Sequence, residues 1–299
     1  MSVFLAPEPG PTTLKVTRWG GARLAALRGH PDPGGAPDPG GAPEQRGGVG
    51  ESWEFSTLPG HESRADGRPL AARLGGPLPF LAKLIDTALP LSVQVHPGDD
   101  ADGPGKEEAW VVLAADPDAR VWAGLAPDCG PDEFRRAVAA GAPLLDRLRA
   151  IPVVTGSVIL VPARTVHAIG GGILLAEIQQ PRDCTYRFHD HGSERPIQPR
   201  QALATVDLAA QPQVWQPGAP ARVLRGRHVA LEVLGPGAHR RDRPVDPRLI
   251  VPVRGRVDAC TADERRPLGP GALTLALRGP YWLELAPDAL CVLGSVDGR

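Results

Sequence analysis

The residues able to do chemistry in this chain cluster in three short stretches: Ser92-Val93-Gln94-Val95-His96-Pro97, Gly105-Lys106-Glu107-Glu108-Ala109-Trp110 and Val161-Pro162-Ala163-Arg164-Thr165-Val166-His167-Ala168. Between them they supply an amide (Gln94), two imidazoles (His96 and His167) and a carboxylate (Glu108). That donor set suits a divalent metal held between strands of a small β-barrel. Of 33 basic residues only Lys15, Lys83 and Lys106 are lysines, and the chain has no asparagine. Under such a coding bias, a position that keeps lysine needs a compact amine whose pKa can shift, rather than a permanently charged planar fork. Two of the three lysines, Lys83 and Lys106, lie in motif segments.

Extended strands are needed to position these groups. Side chains alternate across a strand, so Ser92, Gln94 and His96 share one face while Leu91, Val93 and Val95 pack on the other. Glu108 opens an otherwise apolar run, Ala109-Trp110-Val111-Val112-Leu113. A carboxylate in that setting is costly unless it is paired or bound to metal. His167 comes after the apolar strand Gly156 to Val161 and a proline-bent turn, which brings a third strand end to the same mouth.

Gly156, Pro162 and His167 match the second motif of the cupin superfamily, with Arg164 where glycine is common. The likeness is closer to one family of cupins. It rests on Trp19-Gly20-Gly21, Glu51-Ser52-Trp53-Glu54, Lys83-Leu84-Ile85-Asp86, Gln94-Val95-His96-Pro97, Gly105-Lys106 with Glu108-Ala109-Trp110, Val166 to Gly172, Glu177-Ile178-Gln179-Gln180 and Thr185-Tyr186-Arg187. In this order, over about the first 200 residues, the chain resembles the short form of the type I mannose-6-phosphate isomerases.

The resemblance implies a mainly β fold: a cupin-type β-barrel (jelly roll) with a small helical insertion and a second, metal-free cupin-like β-domain. It implies reversible conversion of mannose 6-phosphate to fructose 6-phosphate through a cis-enediol. One zinc ion per chain is expected on Gln94, His96, Glu108 and His167, other divalent metals being alternatives. Lys106, Glu177, Arg187 and Lys83 are the candidate catalytic residues; Trp19, Ser92 and Arg187 are the candidates for binding substrate. Lys106 and Glu177 both stand as the proton-transfer base. Glu177 reads equally well as one half of a structural salt bridge. The competing class is a non-catalytic sugar-phosphate-binding cupin that acts as a sensor. The presence of Lys106, Glu177 and Arg187 favours the enzyme.

The expected domains are residues 1–200, with a flexible loop at 30–48 and a helical insertion at 131–149, and a smaller β-domain at 201–299. The loop contains Pro31-Asp32-Pro33-Gly34-Gly35-Ala36 and, directly after it, the repeat Pro37 to Ala42, which buries almost nothing. Pro131-Asp132-Glu133 opens the clearest helical pattern, and Gly141-Ala142-Pro143 is expected to break it into two helices. Beyond residue 200, short apolar runs such as Leu249 to Val253, Ala272 to Ala276 and Tyr281 to Leu285 are punctuated by Gly and Pro. Pro270-Gly271-Ala272-Leu273 has a cupin-like shape without histidine. His189-Asp190-His191 reads as a solvated loop rather than a second metal site.

A chain of 299 residues with net charge −1 and mixed charges carries no basic stripe for nucleic acid. Met1 to Pro7 lacks a charged start and a long apolar run, and no later run is long enough to span a bilayer. The expectation is a cytoplasmic enzyme of carbohydrate metabolism, monomer or weak homodimer, with a sugar-phosphate substrate. Cys129, Cys184, Cys260 and Cys291 show no paired spacing and are expected as reduced, mostly buried thiols.

Overall fold

A computed structural model describes residues 2–8, 10, 13–28, 47–193, 195–220, 222–242 and 246–296. The Pro/Gly repeat at 31–42 lies outside the described residues. The chain is mainly β, with 43% strand and 11% helix, and its paired strands are all antiparallel.

Four sheets stack face to face. A seven-stranded inner sheet runs in the order Gln213–Trp215, Val158–Val161, Glu108–Ala115, Ile173–Gln179, Leu81–Thr87, Gly48–Phe55, Leu14–Thr17. A five-stranded outer sheet faces it, in the order Leu148–Pro152, Arg120–Leu125, His167–Ile169, Val93–Val95, Tyr186–His189. On its other face the inner sheet packs against a six-stranded third sheet, ordered Phe4–Leu5, Thr274–Ala276, Arg248–Arg254, Leu290–Val296, Val229–Leu234, Val223–Arg225. A four-stranded fourth sheet, Gly237–Arg241, Tyr281–Leu285, Val257–Cys260, Arg265–Leu268, covers the third.

Strand alternation explains the layering. In Ile173–Gln179, Ile173 and Leu175 point toward the outer sheet while Leu174, Ala176 and Ile178 point toward the third. In Glu108–Ala115 the same split puts Trp110 and Val112 on one side and Ala109, Val111 and Leu113 on the other. A strand buried on both faces reads as a continuous apolar run, which is why these segments lack a polar alternation. Among the described residues the jelly roll consists of facing open sheets and not a closed barrel, because hydrogen-bonded ladders run only within each sheet.

Segments cross between the halves of the chain. Phe4–Leu5 pairs with Thr274–Ala276 of the third sheet, whereas Gln213–Trp215, from beyond residue 200, pairs with Val158–Val161 of the inner sheet. The opening segment also holds a helix, Arg23–Leu27, which the sequence pattern did not single out; the Asp86 side chain accepts the Leu24 N–H at 2.9 Å.

The region 131–149 forms one helix where two were expected. Pro131–Ala139 is helical, with Pro131 in its first turn and Phe134, Ala137 and Val138 buried. Gly141 at φ 63° then ends it: the Gly141 N–H donates to the Val138 carbonyl and the Ala142 N–H to the Ala137 carbonyl, a Schellman stop. The chain continues into a single 3-10 turn, Leu145–Arg147, and then the strand Leu148–Pro152, because Leu148 is used to pair with Leu125 and to fill the core beneath the helix. The thiols are all free; Cys260 and Cys291 are buried, but Cys129 and Cys184 are only partly so. Among the described residues no helix is long and apolar enough to cross a membrane.

Candidate metal centre and active site

The space between the inner and outer sheets is apolar at one end and polar at the other. Along the inner sheet, the inward positions pass from Ile85, Leu175, Val112 and Ile159 to Lys83, Glu177 and Glu108. Register places these groups side by side: Glu177 lies opposite both Lys83 and Trp110, and Gln179 opposite Glu108. The outer sheet brings Gln94 opposite both His167 and Arg187.

His96, Glu108 and His167 are buried, and one ligand atom from each lies within 4.8 Å of the others. His96 Nδ1 contacts the Cys184 carbonyl at 2.8 Å and His167 Nδ1 contacts the Thr165 carbonyl at 2.9 Å. Each carbonyl can only accept, so Nδ1 carries the proton and the Nε2 lone pair is aimed inward, as metal-binding imidazoles require. His96 Nε2 lies 3.3 Å from Glu108 Oε2, and His167 Nε2 lies 3.2 Å from Glu108 Oε1. The Gln94 amide nitrogen lies 3.5 Å from His96 Nε2 and 3.2 Å from His167 Nε2. Donors about 2.1 Å from a tetrahedral ion are about 3.4 Å apart, so this set has the size of a zinc shell. Glu108 Oε1 is buried without a hydrogen-bond partner, as expected of an oxygen reserved for a cation.

Ser92 donates to Gln94 Oε1 at 2.8 Å. Turned end for end, the same amide donates to the Ser92 hydroxyl and presents its oxygen to the imidazoles, the orientation a metal ligand needs. The residues present therefore fit a divalent ion.

Charge in this cluster is tightly coupled. Burial pushes the His96 imidazole down to about 3, and the Lys106 ammonium adds to the effect. His167 is also held below the usual imidazole range by burial. For Glu108, burial opposes ionisation, but the adjacent Lys106 ammonium outweighs it and keeps the carboxyl well below the usual range. Lys106 Nζ donates to Glu108 Oε2 at 2.5 Å and lies 2.8 Å from His96 Nε2. Glu177 behaves in the opposite way: burial pushes its carboxyl up despite Lys106 and Lys83. Trp110 Nε1 donates to Glu177 Oε2 at 3.1 Å, while Oε1 has no hydrogen bond and lies 3.4 Å from Lys83 Nζ. Both sequence readings of Glu177 thus have a counterpart, a buried pair with Lys83 and a carboxylate with one oxygen that accepts no hydrogen bond.

Lys83 is also 3.6 Å from Glu51 Oε2. Burial works against its charge, but Glu51 and Glu177 together hold it protonated above the ordinary lysine range. The Trp53 ring lies 4.7 Å from Lys83 Nζ, and Trp53 Nε1 donates to Glu51 at 2.8 Å. Lys15 Nζ stands 5.2 Å from the same ring and 3.0 Å from His61 Nδ1. Glu51, Trp53 and Lys15 had no site role in the sequence reading. The lysine count held the clue for Lys15, since all three lysines converge on this end of the sandwich.

Arg187 is half-buried and projects to the same side as Gln94, since its neighbours Tyr186 and Phe188 pack on the helical side of the outer sheet. Burial lowers its pKa, and Arg195 adds to that effect. Its Nε has no hydrogen-bond partner. Trp19 is placed differently, in the apolar core cluster with Ile85, Leu91 and Leu175 rather than among the polar groups. At His189-Asp190-His191 the structure corrects the solvated-loop reading: Asp190 is buried, bound by Arg195 at 2.5 Å and by Ser193, and His191 Nε2 contacts the Leu91 carbonyl at 2.9 Å. Its carboxylate is fully used, and among the described residues the single cluster sized for a metal is His96, Glu108 and His167. Arg164 takes the left-handed conformation, φ 68°, in the turn before His167, and donates from Nε to the Thr205 carbonyl at 2.8 Å.

No protein-family profile matches the chain. Among curated proteins, it is 29% identical over 243 residues to the probable mannose-6-phosphate isomerase GmuF of Bacillus subtilis, covering 72% of this chain and 71% of that one. It is 34% identical over 206 residues to the mannose-6-phosphate isomerase of Streptococcus mutans, covering 64% of each. Among solved structures, it matches the mannose 6-phosphate isomerase of Bacillus subtilis with TM-score 0.72 and 20% identity, over 97% of this chain and 99% of that one. A mannose 6-phosphate isomerase bound with zinc and yttrium matches with TM-score 0.62 and 15% identity, over 98% and 100%. The two-sheet framework is therefore a cupin fold. In sequence the chain is similar to curated mannose-6-phosphate isomerases, and in fold to their solved structures.

Proposed function

We propose that the chain interconverts mannose 6-phosphate and fructose 6-phosphate as a metal-dependent aldose-ketose isomerase. The observation that carries this reading is the convergence of His96, Glu108 and His167, with Gln94 beside them, on the side of the sandwich that also holds Lys106, Glu177, Lys83 and Arg187. A bound divalent ion supplies a Lewis acid for negative charge developing on the sugar oxygens, and this donor set suits one zinc per chain.

The chain's own groups then account for the proton traffic. In the open-chain aldose the C2 proton must leave, a C1–C2 double bond must form, and a proton must return to C1 while the O2 proton moves to O1. Glu177 is assigned to the carbon-bound proton: its raised pKa lets it hold that proton between the two steps, and its Oε1, though near Lys83, carries no hydrogen bond. Lys106 is assigned to the oxygens, where an amine can both stabilise enediolate charge and exchange a proton. Lys83 keeps its charge beside Glu177 and Glu51 and orients them. Arg187 offers its fork to substrate oxygens or phosphate, and Ser92 holds the Gln94 amide. These proton-transfer groups favour the enzyme over a sensor that would only bind the sugar phosphate. A cytoplasmic monomer or weak homodimer is our reading of its working state.

The test is a coupled assay on the purified chain, started from mannose 6-phosphate, with and without added zinc. Turnover that chelation removes and zinc restores is expected. Absence of turnover in zinc-loaded, folded protein would overturn the proposal.

A further inference from the structure

Glu107 sits between Lys106 and Glu108 but its side chain goes the other way, out of the metal centre and against the turn 226–228 that joins Val223–Arg225 to Val229–Leu234 of the third sheet. It is buried, and its carboxylate accepts three consecutive backbone N–H groups: Arg227 at 3.1 Å, His228 at 2.9 Å and Val229 at 2.7 Å. Successive amides converging in this way form an anion-binding concavity. Here the anion belongs to the loop that carries the metal centre. Gly226 is required for the closeness of the fit, since a Cβ there would lie 2.2 Å from Glu107 Oε1.

The same loop is tied at further points. Glu107 exchanges two hydrogen bonds of 3.0 Å with Gln180, its N–H donating to the Gln180 side-chain oxygen and its carbonyl accepting from the Gln180 N–H. Asp99 accepts from the Gly105 N–H at 2.8 Å, from Gln180 Nε2 at 3.1 Å and from His228 Nε2 at 2.8 Å. The third-sheet turn thus grips residues 99–107 at two places, immediately before Glu108.

We propose that this turn is a positioning device for the metal centre, with Glu107 as the positioning residue: it fixes the backbone from which Lys106 and Glu108 project. The half of the chain without a metal cluster would then set the geometry of the other half's site. The kinetic arm of the test rests on the isomerase reading, whereas the zinc arm does not.

Glu107→Gln, Gly226→Ala and the double variant are to be compared with the parent as full chains. The measurements are zinc affinity by competition with a chromogenic chelator, Tm of the metal-free protein, and kcat and KM of the zinc-loaded protein. Each single variant is expected to weaken zinc binding about 10-fold, the scale of an outer-shell support, and to lower kcat with little change in KM. The double variant should be no worse than about the weaker single, because both changes break one clamp. Val223→Thr, an exposed change in the adjoining strand, should match the parent. Folded variants that lose Tm but keep parental zinc affinity and kcat would overturn the proposal, as would simple additivity. Should Glu107→Gln fail to fold, His228→Ala, which cuts only the imidazole tie to Asp99, must show a smaller loss of zinc affinity in the same direction; parental affinity there and in Gly226→Ala would likewise overturn it. A parent that binds zinc but does not turn over mannose 6-phosphate would sink the isomerase reading and leave the zinc comparison decisive for the clamp.

Discussion

Between the inner and outer sheets, the inward positions change along the strands from Ile85, Val112 and Leu175 to Lys83, Glu108 and Glu177. Between the third and fourth sheets the corresponding space is filled by Ile250, Val257, Ala259, Leu283, Cys291 and Leu293. Both halves pair two antiparallel sheets face to face, and both build their cores from alternating positions. The first half tolerates buried ionised groups because each has a partner: Lys83 lies between Glu51 and Glu177, and Glu108 faces Lys106 and two imidazoles. The second half has nothing of that kind between its sheets among the described residues; its buried Asp258 alternates with the inward Val257 and Ala259 and pairs with the exposed Arg265, which also meets Glu284. The polar site therefore rests on a few inward positions, while the framework itself is neutral about them.

The sharpest way to break that contrast is to remove a ligand. Glu108→Ala should release the metal and lower kcat/KM by on the order of 1000-fold or more, the loss of several kcal/mol of charge stabilisation. Metal analysis and the isomerase assay check it together, and full activity in rigorously metal-free protein would show that the polar interior is not a metal centre. Next in size is Arg187→Ala, expected to lose about 2 to 4 kcal/mol in kcat/KM with metal content intact. Unphosphorylated mannose separates the two contacts: a penalty confined to the phosphorylated sugar assigns the guanidinium to phosphate, and an equal penalty assigns it to the reacting end. Unchanged kinetics on mannose 6-phosphate would take Arg187 out of the site.

Lys106→Arg retains the charge but replaces an amine with a bulky fork, so kcat should fall roughly 100-fold. Parental turnover would reduce Lys106 to a counter-charge for Glu108. The smallest effect belongs to the other half of the molecule. Ile250→Val removes one methylene from the interior between the third and fourth sheets and should cost about 1 kcal/mol of stability by denaturant unfolding. Zinc content and kcat should remain parental; a loss of zinc would mean that the second interior is coupled to the first more tightly than packing alone explains.

The convergence of the candidate ligands was legible in the sequence because a strand has a fixed period of two. That period puts Ser92, Gln94 and His96 on one face and isolates Glu108 at the head of an apolar run. The short strands and the start of the helix at Pro131 were legible for similar reasons, being set by neighbours a few residues apart. The second helix was misread because Leu144 to Leu148 has a helical pattern locally, yet Leu148 is committed to a ladder with Leu125, a contact that no local pattern reports.

Sequence alone determined the donor types, the faces they occupy and the scarcity of lysine that marked Lys83 and Lys106. It also carried the turn before His167, although Arg164 occupies a left-handed position where glycine is the easier residue. Only the tertiary structure decided that Lys15, Glu51 and Trp53 join the same polar end, that Trp19 packs in the apolar core, and that Glu107 reaches into the turn at Arg227, His228 and Val229. These depend on which sheet faces which and in what register. The pairing of Glu107 with Val229 links residues 122 positions apart, and the energy of such contacts is gained only after the chain has closed those loops, so no short stretch of sequence encodes them.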